Sequence, residues 1–402
     1  MKIFQINGGV FGSTGKIMFD IAETARQEGH EVLCAAPITS TNRNKQPGQP
    51  YLKIGSFYGR CLNVLLTRLT GCEGCFAVLP TLQLLKQIDQ FQPDVLHIHS
   101  IHNSYLNIPM LFRYIKRNNT RVVWTLHDCW AFTGHCAHFD MIGCDKWKTG
   151  CRNCPQYQSY PKTYWDNSRI MYVLKQKWFR GVQDLTIVTP SHWLAGIVKQ
   201  SFLGHYPVKV IHNGIDLSVF QPRESDFRKR YGCEEKIVLL GVAFGWGKGK
   251  GLDVFVELGE RLDDRYQIVL VGTDEQVEKE LPQSIIAIRR TQNQQELAEI
   301  YTTADVFVNP TREDNYPTVN MEALACGTPV ITFNTGGSPE MLDEACGAVV
   351  GKDDVDALEK QIKALCAERN GRSGYCLEKS KSFEARRKFR DVIELYANNY
   401  KV

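Results

Sequence analysis

The chain has 402 residues, too long for one ordinary domain and suited to two or three. Its 43% hydrophobic and 23% charged residues exclude a disordered, collagen-like or coiled-coil protein. The formal net charge of +4 is too mild to argue for nucleic acid, but it hides a split. Residues 1–212 hold 23 basic and 12 acidic side chains, net +11, while residues 213–402 hold 25 and 32, net −7. An asymmetry of that size predicts two domains that face different partners.

The predicted elements alternate short β-branched strands with amphipathic helices. Lys2–Asn7 reads as a strand that begins almost at Met1, with no signal-sequence pattern before it. Lys16–Glu28 follows as a helix, with Ile17, Ile21 and Ala25 on one face and Gly29 closing it. Strands are predicted at Glu31–Ala35, Asp94–His99, Val122–His127, Leu185–Thr189 and Lys209–His212, with helices such as Leu82–Gln90 and Ile108–Arg117 between them. The second half repeats the theme. Lys236–Val242, Gln267–Val271, Ile285–Ile288, Val306–Asn309 and Pro329–Phe333 read as strands, and Leu252–Arg261, Gln295–Thr302 and Thr318–Ala325 as helices. Phe383–Tyr400 is predicted as a last helical segment. Two βαβ series predict two parallel sheets covered by helices, joined near His212-Asn213-Gly214-Ile215-Asp216. No uncharged apolar run approaches the roughly 20 residues of a membrane-spanning helix. The chain is therefore expected in the cytoplasm or peripheral on the inner face of the cell membrane. Its 14 cysteines are expected as thiols or metal ligands rather than disulfides.

Sheets of this kind place ligands at the carboxyl ends of their strands, so chemistry is sought in the loops there. The first loop is Asn7-Gly8-Gly9-Val10-Phe11-Gly12-Ser13-Thr14-Gly15. Its glycines, with the helix start behind it, suit an anion such as a diphosphate; the plain alternative is a glycine turn without a ligand. His127, in Trp124-Thr125-Leu126-His127-Asp128, is expected at a strand end, where a lone histidine is more often structural than catalytic. Gly245-Trp246-Gly247-Lys248-Gly249-Lys250-Gly251 offers two lysines on a glycine loop, suited to diphosphate oxygens as point charges. In the stretch Arg312–Val330, Pro317 is placed to start a helix and Gly327 to end it. Glu322 lies inside that helix, where a carboxylate accepts hydrogen bonds from paired sugar hydroxyls. Thr335-Gly336-Gly337-Ser338-Pro339-Glu340 reads as a further helix start, with Ser338 as its cap.

These motifs, in this order, resemble the family 4 retaining glycosyltransferases. The acid-x7-Glu spacing from Asp314 to Glu322, the Ala-Leu-Ala-Cys-Gly-Thr-Pro-Val that follows, and Gly-Gly-Ser-Pro-Glu all match. So do Gly29-His30-Glu31-Val32, His127-Asp128, His212-Asn213-Gly214-Ile215-Asp216 and Lys250-Gly251-Leu252-Asp253. Within the family the chain is similar to bacterial exopolysaccharide and colanic-acid-type transferases. The resemblance implies a type B glycosyltransferase fold, two Rossmann-like domains facing a cleft. Residues 1–212 would take the acceptor, 213–380 the nucleotide sugar, and 381–402 would cross back to the first domain. By position, Glu322 would bind the ribose hydroxyls, Asp314 would meet the donor sugar, Lys250 and Lys248 would hold the diphosphate, and His127 would contact the transferred sugar. Gly9, Gly12 and Gly15 would close over the phosphates. Asn315, Thr318, Val319 and Gly337 would line the nucleotide-sugar site. The chain departs from the pattern at Asp314 (a glutamate in the family, with Glu313 beside it as an alternative), at Pro317 in place of glycine, and at Gly245 in place of arginine.

The implied reaction moves a sugar from a UDP- or GDP-sugar to a carbohydrate hydroxyl, with a lipid-diphosphate-linked glycan as the expected acceptor. No Asp-x-Asp metal site is read in the sequence, so catalysis is expected to need no cofactor. A sugar-nucleotide 2-epimerase of the same fold and a catalytically inert partner subunit are the alternatives; no nucleic acid partner is expected. Cys136, Cys144, Cys151 and Cys154 have the spacing of a four-thiolate structural zinc site, with His135, His138 and the pair Cys72 and Cys75 as other candidates and unbound thiols as the plain reading. No acidic residue occurs from Val32 to Cys72, where Leu62, Leu65, Leu66 and Leu69 follow helical spacing. That stretch is either a core helix or a surface helix that docks on an anionic membrane.

Overall fold

The computed structural model describes residues 1–45, 47–367 and 371–397. They form two compact units: Met1–His212 together with the tail from Arg386, and Asn213–Ala385. The tail carries five basic and two acidic residues, so the units hold +14 and −10 by sequence.

The first unit is built on seven parallel strands, β1 (Lys2–Ile6), β2 (Glu31–Pro37), β3 (Leu52–Ile54), β4 (Val95–Ile98), β5 (Val122–Thr125), β6 (Leu185–Thr189) and β7 (Val208–Val210), in the order β3-β2-β1-β4-β5-β6-β7. β4, β5 and β6 are buried along their whole length, the expected result of helices on both faces and the reason they read as unbroken apolar runs. Phe112 from a flanking helix meets Trp124 of β5 and Phe179, with ring centroids 4.7–5.5 Å apart. The second unit repeats the design with β8 (Ile237–Val242), β9 (Tyr266–Val271), β10 (Ile286–Ile288), β11 (Val306–Asn309), β12 (Val330–Phe333) and β13 (Gly347–Val350), in the order β10-β9-β8-β11-β12-β13. Strand order reverses between β1 and β4 in one sheet and between β8 and β11 in the other. At such a switch point the loops diverge and leave a crevice at the carboxyl ends.

The edge strands β3 and β13 were not predicted. Both are short, three and four residues. The first helix starts at Gly12 rather than Lys16, so Gly12 to Gly15 form its opening turn. The tail helix runs Ala385–Ala397; the predicted end at 398–400 lies outside the described residues. Its Phe389, Val392, Ile393, Leu395 and Tyr396 are buried. Within the first unit, Tyr396 Oη bonds His97 Nδ1 at 2.5 Å and Arg121 donates to Leu395 O at 2.7 Å.

The leucine-rich basic stretch forms the helix Phe57–Thr70, and it is not a core helix. Only Thr67 is buried on it, while Leu62, Leu65 and Leu69 are 57%, 48% and 49% exposed. Val78, Leu79 and Leu82 on the helix Val78–Phe91 are also exposed. Among the described residues no helix is long and apolar enough to cross a membrane.

Candidate active site

In the second unit the loops after β8 and β11 touch at the switch point. Lys248–Lys250 make one 3₁₀ turn, and Gly251 (φ +74°) opens the helix Leu252–Arg261. A Cβ on Gly251 would stand 2.4 Å from the Pro310 carbonyl oxygen, so glycine is what lets the loops meet. Arg312 ties them. Its backbone N–H donates to Gly249 O at 2.8 Å and its guanidinium to Lys248 O at 2.5 Å. The same guanidinium pairs bidentately with Asp253, at 2.7 and 3.0 Å, and reaches Asp353 at 2.5 Å. This side chain is only 12% exposed, so water competes weakly for those bonds. The clamp leaves Lys250 Nζ 2.7 Å from Asp314 Oδ2 and 3.4 Å from Glu313 O. Asp314 thus meets Lys250 through its carboxylate and Glu313 through its backbone. Lys248 joins through its carbonyl, with its side chain exposed.

The loop after β12 covers Asp314 from the other side. A Cβ on Gly336 (φ +56°) would lie 1.6 Å from Asp314 O, which explains the glycine at that position. Ser338 is not a helix cap. Residues Ser338–Met341 form a single 3₁₀ turn whose cap position is Gly337, because Ser338 already lies inside the turn. Its Oγ is buried and has no hydrogen-bond partner among the described residues; the same holds for Thr335 Oγ1 and Asn320 Nδ2. Each unpartnered buried polar atom costs about 1–3 kcal/mol, which marks this as a place for polar ligand atoms.

The helix Thr318–Ala325 starts after Pro317 and ends with Gly327 (φ +82°), where Thr328 N–H donates to Ala323 O at 3.0 Å. Thr318 and Val319 stand half-buried in its first turn, and Asn315 is buried ahead of it. Half-buried Glu322 accepts from Tyr301 Oη at 3.1 Å. Burial, and then Glu322 itself, raise the Tyr301 phenol well above its usual range, so it stays a donor and fixes the carboxylate.

In the first unit, the ends of three adjacent strands are joined by a chain of hydrogen bonds. Gln5 Oε1 of β1 meets His99 Nε2 at 3.0 Å, and His99 Nδ1 meets His127 Nε2 at 3.1 Å. Burial lowers the His127 pKa to about 4, so its ring is a neutral hydrogen-bonding group. Beside it, His102 Nε2 lies 2.8 Å from Asp128 Oδ2. Burial alone would lower His102, but Asp128 overrides it and the pKa rises. Buried Asn7 holds the glycine loop, donating to Gly9 O at 2.9 Å and accepting from Ser100 N–H at 3.2 Å. Gly15 is a packing glycine: a Cβ there would fall 2.5 Å from the Val10 carbonyl carbon. Gly12 (φ +80°) supplies the turn, and a Cβ on Gly9 would make only an ordinary 3.8 Å contact with Phe11 O.

Cys136, Cys144, Cys151 and Cys154 line one small cavity with Trp147 and His135. Cys136 and Cys154 are hydrogen-bonded, while among the described residues no three of the sulfurs lie within 4.8 Å of one another. The chain also contains one Asp-x-Asp spacing that the sequence reading passed over, Asp354-Val355-Asp356. Both carboxylates are engaged, Asp354 on Ala357 N–H at 2.9 Å and Asp356 with Arg261 at 2.5 Å. Arg312, at the head of the stretch Arg312–Val330, and Tyr301, outside every motif, gain their roles only from the fold.

Comparison with known proteins matches residues 14–219 to Glycosyltransferase Family 4 and residues 234–368 to Glycosyl transferases group 1. The chain is 28% identical to the putative colanic acid biosynthesis glycosyl transferase WcaC of Escherichia coli K12 over 286 residues, 69% of this chain and 68% of that protein. It is 23% identical to the sulfoquinovosyl transferase SQD2 of Arabidopsis thaliana over 54% of this chain and 45% of SQD2. Among solved structures, sucrose-phosphate synthase of Thermosynechococcus elongatus superposes with a TM-score of 0.72 at 17% identity, covering 98% of each chain. Anabaena HepE in complex with UDP-glucose superposes at 0.69 and 14% identity, covering 99% of each. The chain therefore belongs to glycosyltransferase family 4, with the type B glycosyltransferase fold and relatives in colanic acid synthesis.

Proposed function

We propose that this glycosyltransferase moves a sugar, with retention of anomeric configuration, from a UDP- or GDP-sugar to a carbohydrate hydroxyl on a lipid-linked acceptor in bacterial surface polysaccharide synthesis. The observation that carries this reading is the Lys250–Asp314 pair at the β8/β11 switch point, flanked by the unpartnered polar atoms of Asn320, Thr335 and Ser338. The second unit then holds the donor, with Glu322 on the ribose hydroxyls, and the first unit holds the acceptor. As the bond from the sugar's C1 to the diphosphate oxygen breaks, negative charge grows on the leaving group. Lys250, placed by Asp314, and the N–H groups of Thr318 and Val319 are preorganised to receive it, and the exposed Lys248 side chain adds a mobile second charge. The acceptor oxygen bonds C1 on the same face and gives its proton to the departing phosphate oxygen. Neutral His127 contacts the transferred sugar as a hydrogen-bonding group.

HepE and WcaC support the donor and pathway classes by analogy, since HepE was solved with UDP-glucose and WcaC is named for colanic acid synthesis. The deciding experiment is incubation with a panel of nucleotide sugars, reading released UDP or GDP with and without acceptor lipid. Release that depends on acceptor supports transfer. Release that ignores acceptor indicates an epimerase, and no release with any donor indicates an inert subunit.

The exposed Leu62, Leu65 and Leu69, with Arg43, Arg60 and Arg68 nearby in the sequence, suit a peripheral contact with an anionic membrane that carries the acceptor. A chain with Leu62→Glu and Leu65→Glu is expected to lose sedimentation with acidic vesicles at low salt. Equal sedimentation of that variant and the native chain would refute the contact.

A further inference from the structure

We infer that Cys136, Cys144, Cys151 and Cys154 bind one structural zinc ion, with the buried Lys175 as its counter-charge. The starting point is the length of irregular chain between β5 and the helix Ser168–Phe179. These roughly forty residues contain only two three-residue 3₁₀ turns, Trp130–Phe132 and Lys146–Lys148. They are nevertheless packed: Trp130, Phe132, Phe139 and Trp147 are all under 7% exposed. A long connection without ladders of its own is held by its packing and by any cross-link it carries, and where disulfides are absent a metal can supply that cross-link. All four cysteines are free thiols.

Two of the four sulfurs accept backbone N–H bonds, which favour a thiolate. Gly134 N–H donates to Cys151 Sγ at 3.1 Å, and Gln156 N–H donates to Cys154. Gly134 is required for the first of these, since a Cβ there would fall 2.6 Å from the Cys151 Cβ and 2.2 Å from Ser168 O. Backbone N–H groups aimed at sulfur stabilise the charged form and are wasted on a neutral thiol.

Lys175 supplies the independent observation. It is fully buried, with Nζ bonded to Trp130 O at 2.7 Å and Thr133 O at 3.0 Å and standing 3.4 Å from the Trp130 ring centroid. Among the described residues it makes no ion pair; its electrostatic neighbours are Cys151 and Cys136 first, and then the carboxylates of Glu73 and Asp128. Facing neutral thiols, the buried ammonium would have only Glu73 and Asp128, both beyond ion-pair distance, as counter-charge, a costly arrangement. Zinc bound by four thiolates carries a formal charge of about −2, from one divalent cation and four anions. That charge accounts for the lysine, the N–H groups and the thiols together. With four protein ligands the ion has no open position, so its role is to fix the loop that carries Asp128 beside His102. Zinc–sulfur bonds of about 2.3 Å would draw the sulfurs closer together, since no three of them lie within 4.8 Å of one another among the described residues.

The test is metal analysis of the full chain, purified without a metal-binding tag. One zinc per chain is expected. Less than about a tenth of an equivalent, with no thiolate-to-cobalt charge-transfer band when cobalt(II) is added to the reduced protein, would overturn the site. Replacing Cys151 and Cys154 by serine is expected to lower zinc content at least about tenfold, and a full equivalent in that variant would overturn the ligand assignment. If that variant does not fold, zinc content and cobalt spectrum of the native chain decide alone. Lys175→Met is expected to weaken zinc retention at least about tenfold against a chromophoric chelator; unchanged retention would overturn its counter-charge role.

Discussion

Replacing Lys250 by alanine separates the chemical role of this loop from its structural one. The Lys250–Asp314 pair spans 2.7 Å, but its side chains are 38% and 22% exposed, so water screens it. Such a pair contributes about 0–1 kcal/mol to stability. The loop itself is held by Arg312 and Gly251, which the substitution leaves in place. The chemical loss is larger. A unit charge about 4 Å from developing phosphate charge, at an effective dielectric near 20, is worth about 4 kcal/mol. Removal of one preorganised donor costs roughly 10²–10³ in rate. Lys250→Ala is therefore expected to lower kcat/KM about 10²–10³-fold in the nucleotide-release assay, while the free energy of urea unfolding changes by under about 1 kcal/mol. Lys250→Arg keeps the charge on a planar fork that fits one oxygen less well, so an intermediate loss of about tenfold is expected. Turnover of the alanine variant within about threefold of the native chain, with folding intact, would refute the placement of Lys250 on the leaving group.

Three further outcomes follow from the geometry. Gly336→Ala combines a left-handed backbone with a Cβ 1.6 Å from Asp314 O, so it should destabilise the second unit by about 2–4 kcal/mol in urea unfolding; a loss under about 1 kcal/mol would contradict the contact. Tyr301→Phe frees the Glu322 carboxylate from its 3.1 Å donor and should raise KM for the nucleotide sugar severalfold with little change in kcat, whereas unchanged KM would separate Glu322 from donor binding. Acid should weaken the first unit: burial holds His97 down to about 3, against about 6.5 unfolded. Because the folded value is the lower one, that stabilisation is present above pH 6.5 and is lost as pH falls from 6.5 toward 3. The loss is about 2 kcal/mol by pH 5. His127 and His135, each near 4, act in the same direction, and His102, raised, acts against them. Equal urea stability at pH 7.5 and pH 5 would count against a neutral buried His97.

Much of the fold is a local property of the sequence. The alternation of strand and helix, the joint near residue 212 and the glycine-rich loops at strand ends all follow from short-range periodicity and turn chemistry, which a single chain displays openly. Lys250 and Glu322 stand in a loop and a helix turn that the pattern locates, whereas Asp314 is singled out only by the resemblance to family 4 transferases. Tertiary structure decided what meets what. The Leu62–Leu69 spacing is helical in either environment, and only the surrounding chain leaves that face exposed. Arg312 reads as an ordinary surface arginine until the fold brings Asp253, Asp353 and Lys248 O around it. Gly336 reads as a turn residue until Asp314 O comes within its missing side chain. Lys175 sits in a helix where a lysine is unremarkable by propensity, yet the fold buries it beside thiols that are distant in the chain. Periodicity carries no information about such partners, because a guanidinium, a missing Cβ or a buried ammonium acquires its meaning from atoms that only the packed chain brings near.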